Sequence, residues 1–241
     1  PTVVNNVETF ATAAKIAVEG GDWFASRGTA HSKGTKLLSV SGDCERPGIY
    51  EYPFGFSVNR VLEDCGAHNA QGIQMAGPAG HTISAKQFHR LICFEDLATG
   101  GSFMVFDQSR DILDGIRNFA HFFVHESCGF CTPCRVGTSL MRDLMDKVHT
   151  GHGTQYDLEE MRKLGRIMQV SCHCGLGQTA PNPVLDSLEE FPEAYERRLR
   201  STAYEPAFDL NAALEDARQL TGRHDPGAYL HEEDLLVGVM P

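Results

Sequence analysis

The sequence predicts an α+β protein in which a small sheet domain is followed by a helical bundle. Two patterns carry this reading. Between about Gly34 and Ala85, short apolar runs alternate with Gly, Pro and Asp turns, the signature of brief strands. From Asp111 to Leu199, apolar residues instead return every three to four positions, as on amphipathic helices. A third observation marks where the helices begin their work: Cys128, Cys131 and Cys134 stand at C-x2-C-x2-C spacing within Glu126–Arg135.

Length and composition bound the answer. The 241 residues can form one large domain or two to three small ones. A hydrophobic content of 41% and a charged content of 22% are ordinary for a globular chain. The net charge of −11 argues against a nucleic-acid surface, which needs a clustered basic face. No apolar run approaches the ~18 residues of a membrane span, and no charged-then-apolar signal segment opens the chain. Five of the eight cysteines crowd two short stretches, which points to a reducing cytoplasm rather than a disulfide scaffold. Pro1 stands where an initiator methionine would be, so a piece of a longer polypeptide is expected.

Taken in order, Pro1–Thr9 reads as an extended piece entering a helix, with Asn6 as N-cap and Ala11, Ala14, Ile16 and Ala17 as its apolar positions. Residues 36–42 and 46–51 read as strands, and 57–66 as a short helix with a Ser cap and a Gly stop. Strands follow at 73–77 and 82–84, with a last one at 103–107. A β-β-α-β-β order of this size predicts a small ubiquitin-like β-grasp fold over residues 31–106. Gly77-Pro78-Ala79-Gly80 is no phosphate cradle, because no helix or Gly-Lys-Ser/Thr follows it. Cys44, Cys65 and Cys93 read as small buried hydrophobes.

Residues 107–200 predict a four-helix bundle. Its first helix presents Ile112, Ile116, Phe119, Phe122 and Phe123. The second starts at Thr132 as N-cap with Pro133 at N1, and uses Leu140, Met141, Leu144, Met145 and Val148. The third runs from Thr154 with Leu158, Met161, Leu164 and Met168, and the fourth follows Pro183 through Val184 and Leu188 into Tyr195 and Leu199. Residues 201–241 form an extension with a short helix over 209–220 and a tail carrying His224 and His231, where no convergent ligand pattern is visible.

The chemistry lies in the cysteines. Three thiols at two-residue gaps can each take a different iron of a [4Fe–4S] cluster, and a remote cysteine closes the fourth. Zinc sites more often come as two separated pairs, and a dithiol couple needs only one C-x2-C. Cys172 and Cys174 compete for the fourth place; the Gly-Leu-Gly that follows Cys174 favours it. Arg135 and the amides that open the second helix suit a negative cluster, and Gly129 and Gly175 let the backbone approach the sulfurs.

Glu126–Arg135, Cys174–Gly177 and Pro183-Val184 resemble the cluster-bearing half of the family of NADH-binding flavoprotein subunits of complex I. That family includes the diaphorase subunits of NAD-reducing hydrogenases and NAD-dependent formate dehydrogenases. Pro1–Thr9 is similar to the end of the family's FMN domain, which would make residues 1–30 its last piece. Arg46–Glu51 is similar to its soluble-ligand-binding β-grasp domain. The Cys174–Ala180 wording looks most like soluble NAD-reducing hydrogenases. The resemblance implies that Cys128, Cys131, Cys134 and Cys174 ligate the cluster and that Asn5, Asn6 and Thr9 contact FMN. From spacing alone those three residues are a cap and a turn. It also implies electron relay to neighbouring iron–sulfur and hydrogenase or dehydrogenase subunits, with NAD(H) bound by a part whose glycine-rich loops do not occur here.

Overall fold

The computed structural model of the protein describes residues 1–200 and 210–222. It separates into two compact units, Pro1–Arg200 and Ser201–Pro241. The chain is a mixed α+β protein.

The first unit opens with helices α1 (Val7–Glu19) and α2 (Gly21–Ala25). Asn6 is the N-cap of α1, but its side chain makes no capping bond, and no α1 residue is buried. The expected apolar face is therefore not packed: Ile16 is half-buried, while Ala11, Ala14 and Ala17 are exposed. Glu8 holds α1 to the first strand by accepting from the Leu37 N–H (3.0 Å) and from Lys36.

Strand β1 (Thr35–Gly42) pairs antiparallel with β2 (Gly48–Pro53). After the two-residue β3 (Phe56–Ser57) comes α3 (Val58–Cys65), capped by the Ser57 side chain and stopped by Gly66 in the left-handed region at φ 72°. Strands β4 (Ala70–Met75) and β5 (His81–Ser84) form a hairpin, and β6 (Leu91–Ile92) pairs with β3. β7 (Ser102–Asp107) enters the middle of the main sheet, whose order is β2-β1-β7-β4-β5. It lies parallel to β1 and antiparallel to β4.

The placement of β7 explains its unbroken Phe-Met-Val-Phe run. Phe103 and Val105 face one core with Leu38, Val40, Ile73 and the α3 residues Val58, Val61 and Leu62. Met104 and Phe106 face the other, a helical core. A strand covered on both faces loses the polar alternation of a half-exposed one.

The helical core is built by α4 (Ile112–Glu126), α5 (Thr132–His149), α6 (Gln155–Ser171) and, after the one-turn α7 (Gly175–Thr179), α8 (Asn182–Glu190). Met141, Met145, Met161 and Leu188 meet Ile112, Ile116 and Phe119 there. Two expectations need correction. Leu140 and Phe122 are 47% and 42% exposed, because the buried stripes of α5 and α4 run through Gly137, Thr138 and Met141 and through Ile116, Phe119 and Ala120. The last helix is not continuous: Phe191 leaves helical geometry (φ −133°, ψ 50°) and Pro192 starts a separate turn, α9 (Pro192–Glu196). Proline lacks the N–H that α8 would need to continue.

Among the described residues of the second unit, one helix, α10 (Leu210–Thr221), matches the expected short helix. His224, His231 and the acidic tail lie outside the described residues. No helix among the described residues is long and apolar enough to cross a membrane.

Candidate metal centre

Two segments remote in sequence bring sulfur to one place. The first is the joint between α4 and α5. The Ser127 N–H closes α4 on Phe123 O (3.1 Å), and Gly129 then turns the chain at φ 72°. A side chain with a Cβ is strained in that conformation. Cys131, not Thr132, is the N-cap of α5, and Thr132 and Pro133 are already helical. Proline fits there because first-turn N–H groups have no helical acceptor. Cys128 is thus exposed on the loop, Cys131 half-buried at the cap, and Cys134 buried in the first turn. Ser127 Oγ stands 3.3 Å from Cys134 Sγ.

The second segment is the exit of α6. Cys172 is its C-cap, with its N–H on Met168 O (3.1 Å) and its carbonyl accepting from Gln178 Nε2 (2.9 Å). Cys174 is the N-cap of α7 and is exposed. Cys134 and Cys172 share a small core with Phe123, Met168 and Ala180, against which Cys131 and Leu176 pack.

Gly177 makes this closeness possible. A Cβ there would lie 2.7 Å from Cys172 Sγ and 3.0 Å from Cys134 Cβ. Gly175, the glycine expected to serve this purpose, has open space around it. Nothing in the spacing singles out residue 177; the signal is the close approach of α5, α6 and α7, which no local pattern encodes.

The local field favours a thiolate at Cys131, whose titration is pulled down by the backbone N–H groups of His173 and Cys134. Burial, reinforced by Cys131 and Cys134, pushes the Cys172 thiol up to about 11. Arg135 is exposed and ties the loop by donating to Gly129 O (3.3 Å). Phe130 and His173 meet edge to face at 5.5 Å, linking the two segments.

The donor set, three thiols at two-residue gaps with further thiols from a second segment, suits the irons of an iron–sulfur cluster. Tetrahedral zinc at about 2.3 Å per sulfur requires sulfurs about 3.8 Å apart. Among the described residues, no three cysteine sulfurs lie within 4.8 Å of one another; the one such group of ligand atoms is Asp111, Asp114 and His149. That group is occupied by ion pairs, Asp111 with Arg197 and Arg198 and Asp114 with His149 (2.6 Å). Asn5, Asn6 and Thr9 sit elsewhere, exposed at the start of α1, with the Asn6 N–H donating to Asn5 Oδ1 (2.8 Å).

Comparison with known proteins shows what this site is similar to. Residues 114–198 match the NADH-ubiquinone oxidoreductase-F iron–sulfur binding region. That stretch of the chain is similar to the 4Fe–4S binding region of that family. The chain is also similar to the NAD-reducing hydrogenase HoxS subunit alpha of Cupriavidus necator, 45% identical over 89% of this chain and 36% of the relative. The NADP-reducing hydrogenase subunit HndC of Solidesulfovibrio fructosivorans is 37% identical over 81% of this chain and 42% of its own length. An NADH-quinone oxidoreductase subunit of Mycobacterium tuberculosis is 32% identical over 81% and 46%. A crystal structure of NAD+-reducing [NiFe]-hydrogenase in the H2-reduced state superposes with a TM-score of 0.81 at 42% identity, covering 96% of this chain and 41% of that one. The chain therefore spans less than half the length of these relatives.

Proposed function

We propose that this chain is the electron-transfer part of an NAD(H)-linked FMN/iron–sulfur diaphorase, an oxidoreductase subunit of the type found in soluble NAD-reducing hydrogenases. Its metal ligands are Cys128, Cys131, Cys134 and Cys174. The observation that carries this is the packing of Cys134 and Cys172, with Cys131 against them, where the α4–α5 joint meets the α6–α7 joint beside Gly177.

Cys174 rather than Cys172 is the fourth ligand on this reading. It is exposed at the N-cap of α7, whereas Cys172 is buried. When bound, the cluster takes up and gives out one electron at a time. The chain's own part is to place it: α5 aims first-turn N–H groups at the sulfurs, the Phe123–Met168–Ala180 core excludes water from one side, and Cys128 and Cys174 leave the other side open to a partner.

Asn5, Asn6 and Thr9 are assigned to FMN, which the relatives bind mainly in the N-terminal part that this chain hardly covers; NAD(H) belongs to that part too. The partner is a neighbouring iron–sulfur subunit, with exposed Phe130, Val136 and Leu140 beside the cysteines as its apolar contacts. The sheet order β2-β1-β7-β4-β5 with a parallel central pair supports a β-grasp domain over 31–106, and α4, α5, α6 and α8 support a four-helix bundle over 107–200. Residues 1–30 would then end an FMN domain and 201–241 form an extension. Eight free thiols agree with a reducing cytoplasm.

Single Cys→Ala variants of the full chain, purified without air, test the ligand set. Iron per chain should fall several-fold for Cys128, Cys131, Cys134 and Cys174 and stay near wild type for Cys44, Cys65 and Cys93. Retention of iron by the Cys174 variant would remove it from the set.

A further inference from the structure

Gly77-Pro78-Ala79-Gly80 joins β4 to β5 and belongs to the sheet, yet Ala79 packs against the core formed by Phe123, Cys134, Met168, Cys172 and Ala180. Every other described residue of that core lies within positions 123–180. We propose that this turn is a wall of the metal centre, and that Asn182 is the positioning residue that holds it against the cysteine core. The proposal rests on the cluster reading above for what the core encloses.

The turn is built at a conformational cost. Ala76 is the one non-glycine residue with positive φ (63°) among the described residues, in the left-handed region that a side chain disfavours. Gly77 follows at φ 76°, and at Gly80 a Cβ would stand 1.8 Å from Met75 O. Such backbone persists only where its surroundings over-determine it. Here they do. The Ala76 N–H donates to Ser102 O on β7 (2.9 Å), and the Gly80 N–H closes the turn on Gly77 O (3.0 Å). The buried Gln74 side chain donates to Gly77 O (2.8 Å) and accepts from the Thr82 hydroxyl. Together these bonds fix where Ala79 stands.

The helices supply the outer clamp. Asn182, in the first turn of α8, donates from Nδ2 to Ala79 O (3.1 Å) and accepts at Oδ1 from Gln169 Nε2 on α6 (3.1 Å). A carbonyl oxygen takes only a donor, which sets the orientation of the Asn182 amide. Helix α6 ends at Cys172, so one amide ties the turn to the helix that delivers a buried thiol. Cys134 and Cys172 are each 5% exposed. Solvent exposure is one of the factors that set a cluster's potential, so a wall on this side bears on the centre as well as on the seam between sheet and helices.

The test is alkylation of the full chain, purified without air, as wild type, Asn182→Asp and Asn182→Ala, with the labelled cysteines identified by mass spectrometry. Aspartate keeps an acceptor for Gln169 and suits the first turn of a helix, but its carboxylate cannot donate to Ala79 O. Cys65 and Cys93, buried elsewhere in the first unit, report any general loosening. The proposal predicts that Cys172 is labelled several-fold faster in both variants, the scale of one lost hydrogen bond on a local opening. A chelator should also remove iron several-fold faster, while Cys65 and Cys93 stay as slow as in the wild type. An unchanged Cys172 rate in both variants, or a matching rise at Cys65 and Cys93, would overturn it. Zinc or no metal in the wild type would instead reject the cluster reading while the thiol comparison still reports on the wall, so the two failures are distinguishable.

Discussion

A methyl group on residue 177 would stand 2.7 Å from Cys172 Sγ and 3.0 Å from Cys134 Cβ, whereas one on residue 175 would touch nothing within 4 Å. Alanine has a higher helix propensity than glycine, so neither substitution should harm α7 itself. Gly177→Ala is therefore expected to lower iron per chain several-fold by wedging the two cysteine segments apart. Gly175→Ala should keep wild-type iron, and colorimetric iron analysis of the two proteins checks both. At this scale the sequence was partly legible. The C-x2-C-x2-C run advertises itself, because three thiols in tandem have few other uses. The role of Gly177 and the burial of Cys172 arise from packing between segments some forty residues apart, and the Ser127–Cys134 contact from the path of the loop between them. None of these has a pattern of its own in the sequence.

Among the elements, α6 shows how a cap binds chemistry to stability. Thr154 Oγ1 accepts from the Asp157 N–H (3.4 Å), and Asp157 Oδ2 accepts from the Thr154 N–H (2.8 Å), a reciprocal capping box. Lys147 Nζ adds a bond to Asp157 Oδ1 (2.8 Å). Burial works to raise the Asp157 carboxyl, but Lys147 and Thr154 outweigh it and hold it below its usual range. The carboxylate thus contributes stability that is complete above the unfolded-state value of about 3.9 and is lost as pH falls toward the lower folded value. Asp157→Asn should cost about 1 kcal/mol at pH 7, and its deficit relative to wild type should shrink below about pH 4. Urea melts at pH 7 and about pH 3.5 measure both. The Ser57 cap and the Gly66 stop were readable from the sequence, whereas Thr154 was read only as the start of its helix. The break before Pro192 was present in the sequence too, but the apolar spacing ran across it. Helix α1 misled for a different reason: its Ala and Ile pattern specifies a face, while nothing in the pattern says whether another element covers it.

At the scale of the first unit, the sheet and the helices share β7, and a second seam joins α8 to β5. Asp186 accepts from the Thr82 N–H (3.0 Å) and lies 3.2 Å from His81 Nδ1. Glu190 accepts from the Ser84 N–H (3.2 Å) and hydroxyl (2.6 Å) and from Gln87. Replacing Glu190 by Ala leaves the Ser84 and Gln87 donors without their acceptor, at an expected cost of about 1–3 kcal/mol. Because both cores meet on β7, the sheet and the helices should still unfold in one transition, with far-ultraviolet circular dichroism and near-ultraviolet signals coincident. The mixed fold class was legible from two hydrophobic periods, and the strand order follows from where β7 inserts, which its doubly buried Phe-Met-Val-Phe run hinted at without fixing.

The central claim is that this fold brings cysteines from two joints together around an iron–sulfur cluster. Metal and acid-labile sulfide analysis of the full chain purified without air tests it most directly. The account predicts about four irons and about four sulfides per chain, with negligible zinc and a brown absorbance that bleaches on reduction. One zinc per chain without sulfide, or no metal at all, would contradict it.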